Sequence, residues 1–292
     1  MSSIQELVLP VTSDSPQFER GSLFFVGTAT VILRYAGFTI LTDPNFLHAG
    51  DHIHVGYGLT AKRLTNPAIE IEALPAIDLV VLSHMHADHF DRIAAAKLDK
   101  SLPIVTTAHA CQKLKNLGFS NTHALDTWQT LLIRKGEAAL QLTAMPGIHG
   151  PGPLKFALPP VMGSMFEFQT AAGRTTFRLY ITGDTLIHDD LKRIPQRFPK
   201  IDLALLHLGG TKAFGILLTM DGKQGVKIMQ IVAPKTAIPI HFNDYTLFKS
   251  PLADFVQEVE AAGLQDQVRY LNHGDTYEFE VATIASSQEV DA

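Results

Sequence analysis

The sequence predicts an α/β fold of the four-layer αββα kind, two sheets lying face to face and each covered by helices on its outer side. Three observations predict it. The chain runs twice from hairpins into alternating strands and helices. Its strands include near-continuous apolar runs such as Asp78–Ser83, which need cover on both faces. The third is a weak internal echo: Ala76-Ile77-Asp78-Leu79-Val80-Val81-Leu82-Ser83-His84 resembles Lys200-Ile201-Asp202-Leu203-Ala204-Leu205-Leu206-His207.

The elements follow in order. Ser22–Val26, Thr30–Tyr35 and Thr39–Thr42 are β-rich runs, with Ala36-Gly37 as the turn between the last two. Pro44 ends the pairing because it has no N–H to donate. Asp78–Ser83 is a buried strand, Asp91–Leu98 a helix, Pro103–Thr107 a strand. Ala108–Leu117 is a helix stopped by Gly118. Trp128–Arg134 and Ala139–Ala144 are strands around Lys135-Gly136, and Phe166–Thr170 and Thr175–Thr182 form a hairpin around residues 171–174. Asp189–Phe198 is a helix interrupted by Pro195. Then come a strand Asp202–Leu206, a helix Asp221–Val232 with Asp221 and Gln224 as a capping pair, and a strand Thr236–Ile240. A helix Pro251–Ala262 stops at Gly263, and Val268–Leu271 and Thr276–Phe279 are closing strands. No low-complexity linker divides the middle, so residues 1–292 are read as one domain with loosely held polar ends at about 1–20 and 285–292.

Composition narrows the function. With 46% hydrophobic and 18% charged residues, a large core is available. A net charge of −5 gives no global basic field for nucleic acid or acidic membranes. Cys111 is the single cysteine, so no intramolecular disulfide can form. Met1–Pro16 has no basic and no apolar signal region, and runs such as Ile77–Leu82 are far too short to span a bilayer. These features lead to an expectation of a cytoplasmic protein that acts on a small molecule, without a membrane span or a nucleic-acid partner. A homo-oligomer stays open.

The chemistry lies in the histidines, which number 13 and are not gathered as a tag. Ser83-His84-Met85-His86-Ala87-Asp88-His89 sits directly after a buried strand and before a helix. An extended backbone at i and i+2 puts the imidazoles of His84 and His86 on one side. Asp88 and His89 arrive as the chain turns into the helix, where they can serve a second ion. His149, Asp184 and His241 each follow an apolar strand, and strand ends on one edge of a sandwich are neighbours. Imidazole nitrogen and carboxylate oxygen suit borderline ions such as Zn²⁺. Five histidines and two aspartates suffice for two ions with an open position between them.

These residues resemble the His-x-His-x-Asp-His motif of the metallo-β-lactamase superfamily. The resemblance implies that His84, His86 and His149 hold one metal, that Asp88, His89 and His241 hold the other, and that Asp184 bridges them. Thr39-Ile40-Leu41-Thr42-Asp43-Pro44 and Gly183-Asp184-Thr185 are similar to the branch that contains L-ascorbate-6-phosphate lactonase-like proteins and N-acyl-phosphatidylethanolamine phospholipase D relatives. There Asp43 would be a carboxylate that orients a ligand imidazole. Two segments depart from that branch. Val26-Gly27-Thr28-Ala29-Thr30 stands where Gly-His is usual, and Met220-Asp221-Gly222-Lys223-Gln224-Gly225 replaces a Pro-Glu-Glu-Ala-like turn. Both lie near the mouth of the site in the family, so its substrates do not carry over.

The resulting expectation is a dizinc hydrolase for a small ester, lactone or phosphodiester, with Mn²⁺ or Fe²⁺ as other ions the donors accept. A metal-bridging hydroxide would be the nucleophile, and Asp88 the catalytic carboxylate that orients it. Two alternatives stand beside it: a mononuclear iron or di-iron oxidoreductase of the same fold, and a metal-binding accessory module without catalysis. His207 reads as a satisfied core histidine, and His48, His52, His54, His109, His123, His188 and His273 as non-ligands. Residues 48–59 and 149–163 are long loops placed to cover the site, with Tyr57, Met162 and Tyr245 as candidate pocket walls.

Overall fold

The computed structural model describes residues 5–11, 16–56 and 59–281 of the chain. In chain order the strands begin with β1 (Gln5–Val8), β2 (Arg20–Gly27), β3 (Thr30–Tyr35), β4 (Phe38–Thr42), β5 (His52–Gly56), β6 (Leu59–Lys62) and β7 (Leu79–Val81). Helices α1 (Arg92–Lys97) and α2 (Ala108–Asn116) flank β8 (Ile104–Thr106), and β9 (Thr122–Ala124) follows. Next are β10 (Thr130–Lys135), β11 (Ala138–Met145), β12 (Gly163–Thr170) and β13 (Thr175–Ile181), then α3 (Ile194–Arg197) and β14 (Leu203–His207). A short hairpin of β15 (Lys212–Ala213) and β16 (Ile216–Leu217) precedes α4 (Gly222–Val232), β17 (Thr236–Ile240), α5 (Leu252–Ala262) and β18 (Thr276–Glu280).

Two seven-stranded sheets form the body, in the orders β18-β2-β3-β4-β7-β8-β9 and β1-β10-β11-β12-β13-β14-β17. Strand alternation sends successive side chains into different layers. Leu79 and Val81 of β7, and Leu203 and Leu205 of β14, enter the core between the sheets. Val80 packs outward against α1 and α2 through Ala94, Ala110 and Leu114. Ala204 and Leu206 pack outward among Ile228, Met229, Phe255 and Val259 of α4 and α5. Three apolar layers separate four layers of secondary structure, which is the αββα sandwich the apolar strands require.

The internal echo has a topological counterpart. β2, β3 and β4 form an antiparallel meander that continues into parallel β7 and β8. β11, β12 and β13 do the same into β14 and β17. The two echo segments, β7 and β14, therefore stand in matching places, each between two parallel neighbours.

Several expectations are corrected. Val268–Leu271 is not a strand: only an isolated bridge joins Val268 to Ala237. Gln5–Val8, inside a segment read as loosely held, pairs in parallel with β10. The loop expected over residues 48–59 contains β5 and leads into β6, with which β5 forms a hairpin. Pro195 does not interrupt a helix. Residues Asp189–Arg193 form a 3-10 turn, and Pro195 lies in the first turn of α3, where its missing N–H costs nothing. Asp221 caps α4 through Gln224 N, but the Gln224 side chain accepts from Ile187 N instead of reaching back. Among the described residues no helix is long and apolar enough to cross a membrane.

Candidate metal centre

Four strand tips converge on one edge of the sandwich. The tip of β7 brings Ser83 to His89, and Asp91 fixes where that loop ends. Asp91 caps α1 by accepting from Ala94 N, and its other oxygen accepts from Leu47 N at 2.7 Å. His149 lies four residues beyond β11, Asp184 three beyond β13, and His241 directly after β17. His241 has φ of +62°, a left-handed conformation that a histidine adopts only when its surroundings impose it. Here its N–H donates to Thr28 O at 2.6 Å, and its Nδ1 faces Leu208 O at 3.1 Å. Gly209 makes the second contact possible, since a Cβ there would lie 2.5 Å from His241 O.

The seven predicted ligands gather into two clusters. In His84, His86 and His149 one ligand atom from each lies within 4.8 Å of the others, and the same holds for Asp88, His89, Asp184 and His241. His84 Nε2 and His86 Nδ1 are 2.9 Å apart, and His149 is turned by its Nδ1 facing Leu218 O at 3.1 Å. In the second cluster His241 Nε2 lies 3.5 Å from Asp88 and 3.6 Å from Asp184, and His89 Nε2 lies 3.4 Å from Asp184.

The electrostatics differ between the two. Burial pushes His84 and His149 below the usual imidazole range, and it brings His86 down to about 4. All three imidazoles are therefore neutral near neutral pH, with lone pairs available to an ion. Burial also acts on His89 and His241, but the carboxylates of Asp184 and Asp88 outweigh it and raise both. Burial works against the charge of Asp88 and Asp184, yet the neighbouring imidazoles hold both carboxyls below their ordinary range.

The residues fit a metal. His89 Nε2 and His241 Nε2 are buried and have no hydrogen-bond partner, an expense that coordination would remove. Imidazole nitrogens and carboxylate oxygens are the donors zinc-type ions take, and the imidazoles paired with carboxylates would release their protons on binding.

Behind the ligands lies a layer that sequence reasoning found only in part. Asp43, itself at φ +36°, accepts from Ser83 N at 2.7 Å and faces His89 Nδ1 at 3.1 Å, the orienting role implied for it. His207 is not a satisfied core histidine. It is fully buried with Nδ1 3.2 Å from Asp184, while its Nε2 has no hydrogen-bond partner and lies 3.9 Å from Asp43. Asp43, His89 and His207 form a third close group. Thr219 completes the support by donating to Asp184 at 3.1 Å.

Above the clusters a cavity of about 140 Å3 is floored by His86, Asp88, His149 and Asp184. The loop expected at 149–163 does cover it, through Leu154, Ala157 and Leu158. Met162 instead faces a separate groove with Thr107 and His109, and Tyr245 is buried with its hydroxyl donating to Asn45 at 3.1 Å. Tyr57 lies outside the described residues. The hairpin β15–β16 was missed and contributes Phe214 and Ile216 to the wall. Its two-residue turn, Phe214-Gly215, lacks the Asn-Gly or Asp-Gly signal that marks such hairpins.

The chain is similar to several known proteins. A UPF0173 metal-dependent hydrolase of Anaeromyxobacter sp. (strain K) is 32% identical over 60% of this chain, and the match spans 62% of that protein's length. Another from Carboxydothermus hydrogenoformans is 27% identical over 86% of this chain and 96% of its own. Among solved structures, the isothiocyanate hydrolase from Delia radicum gut bacteria superposes with a TM-score of 0.73 at 21% identity, covering 89% of this chain and 99% of that one. The family model described as the beta-lactamase superfamily domain matches residues 39–242, a span that takes in all seven predicted ligands. On that match, over more than half of its length, the chain belongs to the metallo-β-lactamase superfamily.

Proposed function

We propose that this protein is a dizinc hydrolase that cleaves a small ester, lactone or phosphodiester. The observation that carries the reading is the pair of adjacent clusters, His84/His86/His149 and Asp88/His89/Asp184/His241, under one cavity. His84, His86 and His149 would hold one ion and Asp88, His89 and His241 the other. Asp184, whose charge is felt at His84 and His149 as well as at His241, would stand between them. When bound, the ions supply a water acidified from a pKa of about 16 to about 7 and a Lewis acid for the oxygen under attack. The chain does the positioning. Asp43 aims His89, His207 and Thr219 fix the carboxylate of Asp184, and the Leu218 and Leu208 carbonyls fix His149 and His241. Asp88 lines the cavity in its ionised form, so its carboxylate can orient the attacking water.

The name metal-dependent hydrolase carried by the two relatives supports this reading. The test is elemental analysis of the purified protein, with a panel of lactone, carboxylic ester and phosphodiester substrates. About two metal equivalents are expected, with turnover abolished in Asp88→Ala and His86→Ala. Full turnover in both variants would remove the mechanism, and one equivalent of metal would reduce it to a single-ion form. A second reading is favoured by the cavity wall, where the described residues include no lysine or arginine. The substrate would then be a neutral isothiocyanate, the compound class for which the Delia radicum gut bacterial enzyme is named. Turnover of benzyl isothiocyanate and of no ester would select it.

A further inference from the structure

The hydrolase reading leaves the substrate's non-reacting part unassigned, and the cavity wall speaks to it. Resting on that reading, we propose that the substrate is uncharged and carries an apolar group held between two segments outside the ligand strands. One segment is the 3-10 turn Gly152–Phe156 with its continuation to Leu158, and the other is the β15–β16 hairpin. Beyond the ligands, the wall is chiefly Leu154, Leu158, Phe214, Ile216, Leu218 and Leu247. Among the described residues of that wall, Thr211, buried with its hydroxyl unpartnered, is the one uncharged hydrogen-bonding side chain.

Each of these segments carries a lysine, and neither lysine lines the cavity. Lys155 Nζ sits 5.0 Å from the centre of the Phe156 ring, and Lys212 borders a separate groove with Asp221 and Asp254. A phosphate or carboxylate substituent would find no cationic side chain there, and charge-assisted pairs are how proteins ordinarily hold such groups. Apolar surface is instead in surplus at the mouth. Phe214 is 76% exposed and Ile216 41%, and both lie on the hairpin and line the cavity. Phe214 holds φ of +50° at the hairpin tip, a conformation unfavourable for a bulky side chain, so an aromatic ring is kept at a place where the backbone disfavours it. Both segments are tied to the ligands at one residue. Leu218 O accepts from Gly150 N at 3.1 Å and faces His149 Nδ1 at the same distance, while Leu218 N donates to Thr211 O at 2.8 Å. An apolar group lodged between the segments therefore has its reacting bond directed at the metal centre.

The test uses the zinc-loaded full chain and p-nitrophenyl esters from acetate to octanoate, beside p-nitrophenyl phosphate and bis(p-nitrophenyl) phosphate. Burial of each added methylene should raise kcat/KM about fourfold until the cavity is filled. The phosphorylated compounds should fall at least about a hundredfold below the best neutral ester, as expected where a charge is buried without a partner. Phe214→Ser with Ile216→Ser should flatten the chain-length series and raise KM for the hexanoate about tenfold. The thermal midpoint should not move, because both side chains are exposed. A binding arm needs no turnover: metal-free protein should bind Nile red, release it to 2-octanone but not to hexyl phosphate, and lose most of that binding in the double variant. A flat series, a preference for phosphate, or unchanged probe binding in the variant overturns the proposal. If nothing is hydrolysed while 2-octanone still displaces the probe, the hydrolase reading fails and the pocket assignment stands. Turnover with a flat series and no displacement is the reverse result.

Discussion

β7 and β14 occupy matching places in the two sheets, but their tips do different work. Beyond β7 the chain delivers four donors within six residues, His84, His86, Asp88 and His89. β14 ends in one histidine, followed by Leu208-Gly209-Gly210, whose backbone packs against His241. The neighbouring tips are matched too: β4 leads into Asp43 and β13 leads into Thr182-Gly183-Asp184. The two aspartates alternate with two histidines in a closed ring. Asp43 is 3.1 Å from His89, His89 3.4 Å from Asp184, Asp184 3.2 Å from His207, and His207 3.9 Å from Asp43. The tip of β7 thus gathers four candidate ion donors, while the matching tip of β14 contributes a buried imidazole that faces the Asp184 carboxylate. His89 and Asp184 belong to both arrangements, which is why the centre can be rigid at the back and open to the cavity at the front.

The most severe way to break this comparison is to take the ions away. Chelation should abolish turnover and lower the thermal midpoint. An ion present at about a thousand times its dissociation constant contributes about 4 kcal/mol to the folded state. For a chain of this size that is on the order of ten degrees, since 1 kcal/mol shifts the midpoint by about 2–4 °C in proteins of 150–250 residues. Differential scanning calorimetry with and without chelator reads it. An unchanged midpoint together with unchanged turnover would mean that the β7 tip does not take ions.

Much of this is legible in the sequence. The β7 loop announces itself because a donor-rich heptapeptide between an apolar strand and a helix has few other uses. His149, Asp184 and His241 were placed by a general rule about strand ends. What escaped notice shares a physical cause: its signal is not local. β1 is a strand only because β10 offers a parallel edge more than a hundred residues away. The β15–β16 hairpin is too short for alternation to show, and its Phe-Gly turn hides it. Val268–Leu271 has the residues of a strand but finds a single bridge instead of a ladder. His207 was visible in one respect, as the last residue of the echo of the segment ending at His84. A buried histidine is usually satisfied in a core, which is the reading its apolar strand favours. The echo was the better guide, because repeated topology puts equivalent strand tips at the same edge.

Asp43→Asn sharpens the comparison with a smaller effect. Both carboxylate oxygens of Asp43 are used as acceptors, Oδ1 from Ser83 N and Oδ2 toward His89 Nδ1. An asparagine has one acceptor oxygen, so one of the two partners must go unmet. If Ser83 keeps it, His89 loses the group that fixes its tautomer and leaves Nε2 free for an ion. Loss of such a partner costs about 10- to 100-fold in metal affinity, here at the second ion only. Competition against a chromophoric chelator measures it, and equal weakening of both ions would contradict the separate aiming of His89.

The mildest change is His207→Leu. The Nε2 of His207 has no hydrogen-bond partner, so a leucine forfeits only the Nδ1 contact to Asp184, and Thr219 still donates to that carboxylate. Second-ion affinity should fall by about tenfold, the lower end of the range for lost supporting contacts, with the metal content still at two equivalents. A different stoichiometry would recast the comparison. Asp43, His89 and His207 are close enough to form an ion site of their own. A wild-type protein with three equivalents, dropping to two in His207→Leu, would make β14 a second donor tip rather than an aiming one. His89 argues against this, because its Nδ1 can point a proton at Asp43 or a lone pair at an ion, but not both at once.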